Sequence, residues 1–407
     1  MRSVQSLLIV VLLVGFPPLQ GRAAEMLTLE RALDIARDRA PALLAAQERI
    51  EEARGRLQGA SVLLRENPVF EAIGGPSYSD RGRSHDLDIT VQQDFEVGGR
   101  RQARIEGAKA GVAREMASVE DERRRLLRDV AVVFERALGA DERRRLLAHA
   151  ADVAAELLRT AERRLNAGEV ALLDVNTAKV AAARARADVR DAEAAQAERL
   201  GQLRAFLGLD PRATVVLSGS LGDQPRYELD TLLTRALDRP DLRALAAEVL
   251  EGEAEVRLGE ARRWPDVGVR VGYRQEEGAD IPLSGLSLTL PLFVHGQEER
   301  ATGSARARRA RLALDAAQRA TEAEVRAAFE AYQRELEAID ELERNALPVL
   351  DESERLAARS YELGQISLPA LLLVRREVVE ARMAYVAHQI DAAVARFELE
   401  SRAGTLR

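Results

Sequence analysis

The sequence has 407 residues, enough for two or more ordinary domains, yet it has no cysteine and only 4% aromatic residues. Disulfides, zinc–thiolate sites, cysteine catalysis and lipid attachment at an N-terminal cysteine are excluded together. The apolar content is mostly Ala, Leu and Val, which suits long, closely packed helices better than a compact aromatic core. A formal net charge of −7, with no basic tract interleaved with aromatics, argues against nucleic acid as a partner.

Residues 1–23 read as a secretory signal peptide: Arg2 supplies the positive start, 7–14 the apolar core and Gly21-Arg22-Ala23 a small-x-small cleavage site. That core is too short to span a bilayer. No later window is apolar for 18 residues, so entry into a membrane would have to be through strands. Residues 28–65 are helical with an interruption at Pro41, and Asn67-Pro68 ends the run, because a residue before proline is pushed out of the helical region. A weak strand is expected at 69–73 and a loop at 74–83. Leu87, Ile89 and Val91 then alternate with Asp86, Asp88, Thr90 and Gln92, the period of a strand with one apolar and one polar face. Gly98-Gly99 breaks it and opens a helix of roughly 65 residues, near 100 Å long, that reaches Asn166-Ala167-Gly168. A second helix is expected over 171–207, and residues 208–225 carry turn residues without helical period.

The order then starts again. A helix from Leu229 is broken at Pro240 and resumes to Arg263. Val267, Val269, Val271 and Tyr273 alternate with Asp266, Gly268, Arg270 and Gly272 as a third strand, and a loop follows at 278–284. In a fourth strand Leu286, Leu288 and Leu290 alternate with Ser287 and Thr289. A long helix from Gln297, bent at Pro348, reaches Leu363-Gly364, and a last helix spans 367–403. Pro68 and Pro265 are 197 residues apart, as are Gly99 and Gly296, and Gly168 and Gly364 are 196 apart. The chain is an internal duplication: a first repeat at 24–215, a linker at 216–226 and a second repeat at 227–407.

Four strands cannot close a membrane barrel, whose smallest form has eight; closure requires other copies of the chain. Apolar-out, polar-in alternation around a wet lumen puts Leu87, Ile89, Val91, Leu286, Leu288 and Leu290 toward lipid. It puts Asp86, Asp88, Arg270 and Thr289 toward the lumen. The competing reading is a pair of hairpins on a soluble helical domain, which would make the chain a secreted periplasmic scaffold or adaptor without a barrel. Ala-rich, Arg/Glu-rich helices pack side by side into coiled-coil-like walls, and a barrel above such a wall is a duct.

Four stretches, in order on the duplicated frame, resemble the TolC-type outer-membrane efflux family. They are LTLERALDIARDRAPALLAAQ at 27–47, QQDFEVGGRRQARI at 92–105, RLNAGEVALLDVNTAKVAAARA at 164–185 and SYELGQISLPALLLVRREVVEARMAY at 360–385. The GGRR joint and the LLLVRRE segment look most like the CzcC-like heavy-metal branch. The resemblance implies an α+β membrane protein, a homotrimer whose twelve-stranded β-barrel is continued by an α-helical coiled-coil tunnel. It implies a place in the outer membrane of a Gram-negative cell, in contact with its lipid. It also implies a periplasmic adaptor and an inner-membrane pump of the RND type as partners, and Gly168 and Gly364 as the turns at the periplasmic tips. The chain departs from the family pattern where many members carry an aspartate in the second tip helix; here that place is held by Leu373.

An open duct would leak, so a constriction is expected at the tip. Leu368, Leu372 and either Ile366 or Leu373 share a face by helical spacing, and three copies would make an apolar ring that gates by dewetting. The alternative is that these leucines pack within one protomer. Asp174 and Glu169 on the first-half tip then remain as a charged closure. His85, His149, His295 and His388 are scattered, and no nucleophile–base set or phosphate loop is visible. Neither an enzyme nor a cofactor is indicated. The repeated DERRRLL at 121–127 and 141–147 reads as a solvated helix face.

Overall fold

A computed structural model describes residues 25–79, 82–222, 224–276 and 279–406; the expected signal peptide lies outside the described residues. The elements follow the duplicated order. The first half holds β1 (Glu25–Leu27), α1 (Leu29–Arg39), α2 (Pro41–Ser61), β2 (Val69–Ser79), β3 (Gly82–Phe95), α3 (Arg100–Asn166) and α4 (Leu172–Phe206). After β4 (Val215–Leu217) come α5 (Leu229–Ala236), α6 (Pro240–Ala261), β5 (Asp266–Glu276), β6 (Ala279–Thr289), α7 (Gln297–Glu341), α8 (Leu347–Glu362) and α9 (Leu368–Arg402). No helix of the described residues is long and apolar enough to cross a membrane.

The strands join the two halves. They form one sheet in the order β2-β3-β5-β6, antiparallel at every pairing. The loops expected at 74–83 and 278–284 are mostly strand, and the weak strand at 69–73 is 11 residues long. Their Gly, Ser and Pro residues blur the alternation without stopping the ladder, since Gly74 pairs with Leu87 and Pro282 with Tyr273. The fourth strand ends at Thr289, where Pro291 cannot donate to a ladder. Likewise α2 ends at Ser61 rather than near Arg65.

Below the sheet the helices pack laterally through small residues. A Cβ added at Gly252 of α6 would sit 2.8 Å from the backbone N of Ala307 on α7, and one at Gly303 would sit 2.8 Å from that of Val256. Charged side chains stitch neighbouring helices, as in Arg114–Glu251 (3.1 Å), Arg257–Glu106 (3.0 Å) and Arg309–Glu248 (2.6 Å). Where such a pair is exposed it contributes about 0–1 kcal/mol. The apolar core is a string of separate clusters. Leu127, Val130, Phe134, Leu203 and Phe397 form one, and Leu232, Val325, Tyr332 and Leu399 another. The first DERRRLL copy is solvated only in part, with Arg123 and Arg125 exposed. Asp121 and Arg124 are buried and paired at 2.6 Å, and Arg124 also donates to the Ser401 carbonyl (2.6 Å) and hydroxyl (2.9 Å), fastening α3 to the end of α9.

Two further features depart from the sequence reading. The linker contains β4, which pairs in parallel with β1, Leu27 opposite Leu217. The bend expected at Pro348 is a π turn over Leu342–Ala346, in which the Leu347 N–H reaches the Leu342 carbonyl. A widened turn there accommodates a proline ring that would otherwise strike the preceding helical turn.

Candidate functional site

The sheet and the helical tip lie at opposite ends of the molecule, and each brings together part of what the sequence suggested. In an antiparallel pair, residues directly opposite share a face. The register therefore places Leu87, Ile89 and Val91 with Val267, Val269, Val271 and Tyr273, and these with Leu286 and Leu288. Phe70 of β2 joins them opposite Val91. This face is exposed, Leu286 by 82% and Phe70 by 67%. Asp86, Asp88, Arg270 and Thr289 all fall on the other face. Leu290 lies one residue past β6, so the ladder assigns it to neither. The polar face is not uniform: Ile73 stands opposite Asp88, and Ile281 opposite Arg274.

Side chains of the polar face bond to one another across strands. Arg274 pairs with Asp88 at 2.7 Å, and Arg270 donates to the Gln92 side-chain oxygen at 2.5 Å. At the root of the sheet Arg100, from the GGRR joint, pairs with Asp266 at 2.5 Å and donates to the Trp264 carbonyl at 2.5 Å. The joint thus bonds the start of α3 to the start of β5. Gln92 was read from the sequence as a polar-face residue, while Arg274 was not singled out, though its even spacing from Arg270 places it on the same face.

At the far end Gly168 and Gly364 hold φ of 76° and 72°, a region that costs glycine little and other residues more. Each closes its helix with the same pair of bonds. Gly168 N–H reaches the Leu165 carbonyl (2.9 Å) and Glu169 N–H that of Arg164 (2.9 Å), while Gly364 and Gln365 repeat this on Tyr361 (3.0 Å) and Ser360 (2.8 Å). This is the Schellman arrangement of a left-handed C-terminus. The two tips touch. Arg164 stacks over the Tyr361 ring, 5.3 Å to its centroid, and pairs with Glu169 at 3.1 Å. Glu169 draws the Arg164 pKa upward through that hydrogen bond. This contact escaped sequence reasoning; its signal was an arginine four residues before one glycine and a tyrosine three before the other.

The leucines of the second tip divide. Leu368 is buried with Leu371, Leu157, Ala161, Val175 and Tyr361, and Ile366 and Leu372 pack against that cluster half-buried. Leu368 is therefore occupied within the protomer, which corrects its place in an apolar ring, whereas Ile366 and Leu372 keep part of their surface free. Leu373 is 51% exposed. With Leu372 and Leu173 it lines an apolar groove of about 740 Å³ between α4 and α9. Asp174 sits in the first turn of α4, where a carboxylate also favours the helix N-terminus.

Among the described residues, no three His, Asp or Glu side chains converge where they could hold a metal ion. The arrangement is a two-faced sheet with open edges at β2 and β6, standing on helices about 100 Å long. The chain is 25% identical over 285 residues to the cobalt-zinc-cadmium resistance protein CzcC of Cupriavidus metallidurans, covering 69% of this chain and 67% of CzcC. It is 28% identical over 276 residues to the nickel-cobalt-cadmium resistance protein NccC of Alcaligenes xylosoxydans, covering 64% of this chain and 62% of NccC. The fold matches that of the outer membrane protein VceC from Vibrio cholerae with a TM-score of 0.74 and 20% identity, over 92% of this chain and 96% of VceC. A family model described as outer membrane efflux protein matches residues 32–209 and 232–405. With both halves of the duplication matched, the chain belongs to the outer membrane efflux protein family.

Proposed function

We propose that three copies of this chain close a twelve-stranded barrel in the outer membrane and form the exit duct of a tripartite efflux system. Such a duct would take its cargo from an inner-membrane pump of the RND type through a periplasmic adaptor. The observation that carries this reading is the strand register. It gathers most of the large apolar side chains onto one exposed face and most of the charged ones onto the other, and leaves unpaired edges at both ends of the sheet. In water, an exposed apolar face of this size and two open edges would be liabilities. In a closed barrel, Leu87, Ile89, Val91, Leu286 and Leu288 meet lipid, while Asp86, Asp88, Arg270 and Thr289 meet the lumen. Each copy is built of two repeats, 24–215 and 227–407, joined by the linker 216–226.

In this reading Gly168 and Gly364 are the periplasmic tip turns. The resting constriction is an apolar one formed by Leu372 with Ile366 or Leu373 or, in the alternative, a charged one formed by Asp174 and Glu169. The cargo is a divalent heavy-metal cation, on the likeness to CzcC and NccC. A strain lacking the chain should lose tolerance to cobalt, zinc or cadmium and regain it from a plasmid copy. Unchanged metal tolerance with lost tolerance to an organic compound would reassign the cargo. Recovery of the chain as a soluble periplasmic monomer would favour a helical scaffold instead.

A further inference from the structure

We propose that the strand seam between copies repeats, position for position, the joint that β3 and β5 make inside one chain, so that Leu288 and Leu286 of one copy lie opposite Gly74 and Pro76 of the next. This rests on the closed barrel proposed above and adds to it the surface by which each copy fits its neighbour. The duplication keeps one offset through the whole sheet. β2 at Val69–Ser79 and β5 at Asp266–Glu276 start and end 197 residues apart, and β3 and β6 start 197 apart, at Gly82 and Ala279. The two hairpins share a register: Val69 lies opposite Gln92 in the first, and Asp266 opposite Thr289 in the second. The helix after each hairpin is capped by a glycine at the same offset, Gly99 with φ of 85° and Gly296 with φ of 78°.

Two hairpins of one shape therefore meet in two kinds of joint. Inside the chain, β3 of the first hairpin pairs with β5 of the second, Val91 opposite Val271 and Ile89 opposite Tyr273. Between copies, β6 of the second hairpin meets β2 of the first, and these strands hold the same places in their repeats as β3 and β5. Moving each residue by the repeat offset turns the Val91–Val271 pair into Leu288 and Gly74. The Ile89–Tyr273 pair becomes Leu286 and Pro76. These stay on the apolar face, since Gly74 lies opposite Leu87 within its own hairpin. Past the end of β6 the same count sets Leu290 beside Ala72 and Leu292 beside Phe70. Pro291 has no N–H to give a ladder, so those two are contacts of side chains.

The two edges complement each other in size. β6 and its continuation bring the exposed Leu286, Leu288, Leu290 and Leu292, and β2 brings Pro76, Gly74 and Ala72. A large side chain laid across a glycine of the facing strand covers backbone that is otherwise bare. On the polar face the seam departs from the joint it copies. Within the chain Arg270 bonds to Gln92, and Arg274 pairs with Asp88. The corresponding pairs between copies are Ile73 with Thr289 and Ser77 with Gly285, which carry no charge. The seam is held by the backbone ladder and by apolar contact. A slip of one residue would turn the leucines to the lumen, so the competing registers are those two residues away, with Leu288 opposite Ala72 or Pro76.

The test is disulfide formation in full-length protein held in outer membrane. A Cβ at Gly74 would meet nothing nearer than 3.5 Å, so cysteine fits there. Gly74→Cys with Leu288→Cys should oxidise under the conditions that close Val91→Cys with Val271→Cys, because the two pairs share one geometry. The first should shift to the size of two and three chains, while the second stays at the size of one. Ala72→Cys with Leu288→Cys, and Pro76→Cys with Leu288→Cys, should stay unlinked. Their residues are diagonal neighbours about 7–8 Å apart, past the reach of a disulfide at about 7 Å between Cα atoms. Linking of Leu288→Cys to a position of β2 other than 74 overturns the proposal and leaves the barrel standing. Linking to no position along β2, in protein whose Val91–Val271 pair does oxidise, overturns the barrel and the proposal with it.

Discussion

Glu135 shows what a single buried charge does inside a wall of helices. Its side chain is buried in α3, and its Oε2 has no hydrogen-bond partner. Burial lifts the carboxyl from 4.5 to about 7, although Arg396 pulls the other way. Arg396 is bonded to Glu400 at 3.0 Å, and Glu400 also accepts the Tyr227 hydroxyl. A carboxyl raised in the folded state binds its proton more tightly there than when unfolded. Stability is then full at pH 4, falls as pH rises from about 4.5 to about 7, and is flat above, a loss of about 3 kcal/mol. Glu135→Gln removes the ionisation and keeps the shape. It should melt above the native protein at pH 8 and alongside it at pH 4; parallel curves would show that Glu135 does not titrate between them. The strand faces are the second test at this scale. Arginine on a lipid face costs up to about 2–4 kcal/mol, and less toward the interfaces. Leu288→Arg should therefore cut assembled protein in the membrane, while its neighbour Thr289→Arg is tolerated; equal yields would count against the barrel. Alternation made these two faces legible in the sequence. It could not reveal Glu135, because a glutamate on an Ala-rich helix reads as a surface residue until the packing of α3 against α9 is known.

Elements were legible wherever a backbone rule left a residue-level mark. Asn67-Pro68 and Trp264-Pro265 announced the strand starts, and the 67-residue α3 ends within a residue of where Asn166-Ala167-Gly168 stops it. What periodicity missed was backbone pairing without a side-chain pattern. Gly74, Gly75 and Gly285 carry no signal of a face, yet each sits in register within the sheet. The π turn before Pro348 was visible only as a bend. The tip leucines failed for another reason: helical spacing says which residues share a face, not what covers it, and for Leu368 the cover is α3, α4 and α8. The tip glycines give the prediction at this scale. Nothing lies within 4 Å of a Cβ placed at Gly168 or Gly364, so valine there is penalised by φ alone, by about 1–2 kcal/mol. Gly168→Val and Gly364→Val should expose the tips to protease and speed amide exchange at Glu169 and Gln365, with the sheet end unchanged and pump-dependent export weakened. Asparagine, which tolerates this region better, should do less. Protease resistance and export equal to the native protein in both valine variants would remove these turns from the docking end.

At the scale of the molecule the sequence showed the duplication and the need for other copies, because the number of strands is a count and four are too few. It did not show how the halves join. The sheet joins them through β3 and β5, and β1 and β4 join the start of the chain to the linker, contacts between segments about 170–190 residues apart that no local pattern encodes. That topology carries a consequence for assembly. With every neighbour antiparallel in the order β2-β3-β5-β6, β2 and β6 run in opposite directions. The β6 of one copy can therefore pair with the β2 of the next without breaking the alternation, and an antiparallel barrel closes. The chain has no cysteine, so engineered pairs report without background. Single cysteines at positions along β2, combined with one at Leu286 of β6, should form disulfides at one register. The products should be linked dimers and trimers that disappear on reduction, while a β3–β5 pair at Val91 and Val271, opposite each other in one chain, stays at monomer size. Failure of every β2–β6 combination to link chains, in protein whose Val91–Val271 pair does oxidise, would contradict closure by neighbouring copies.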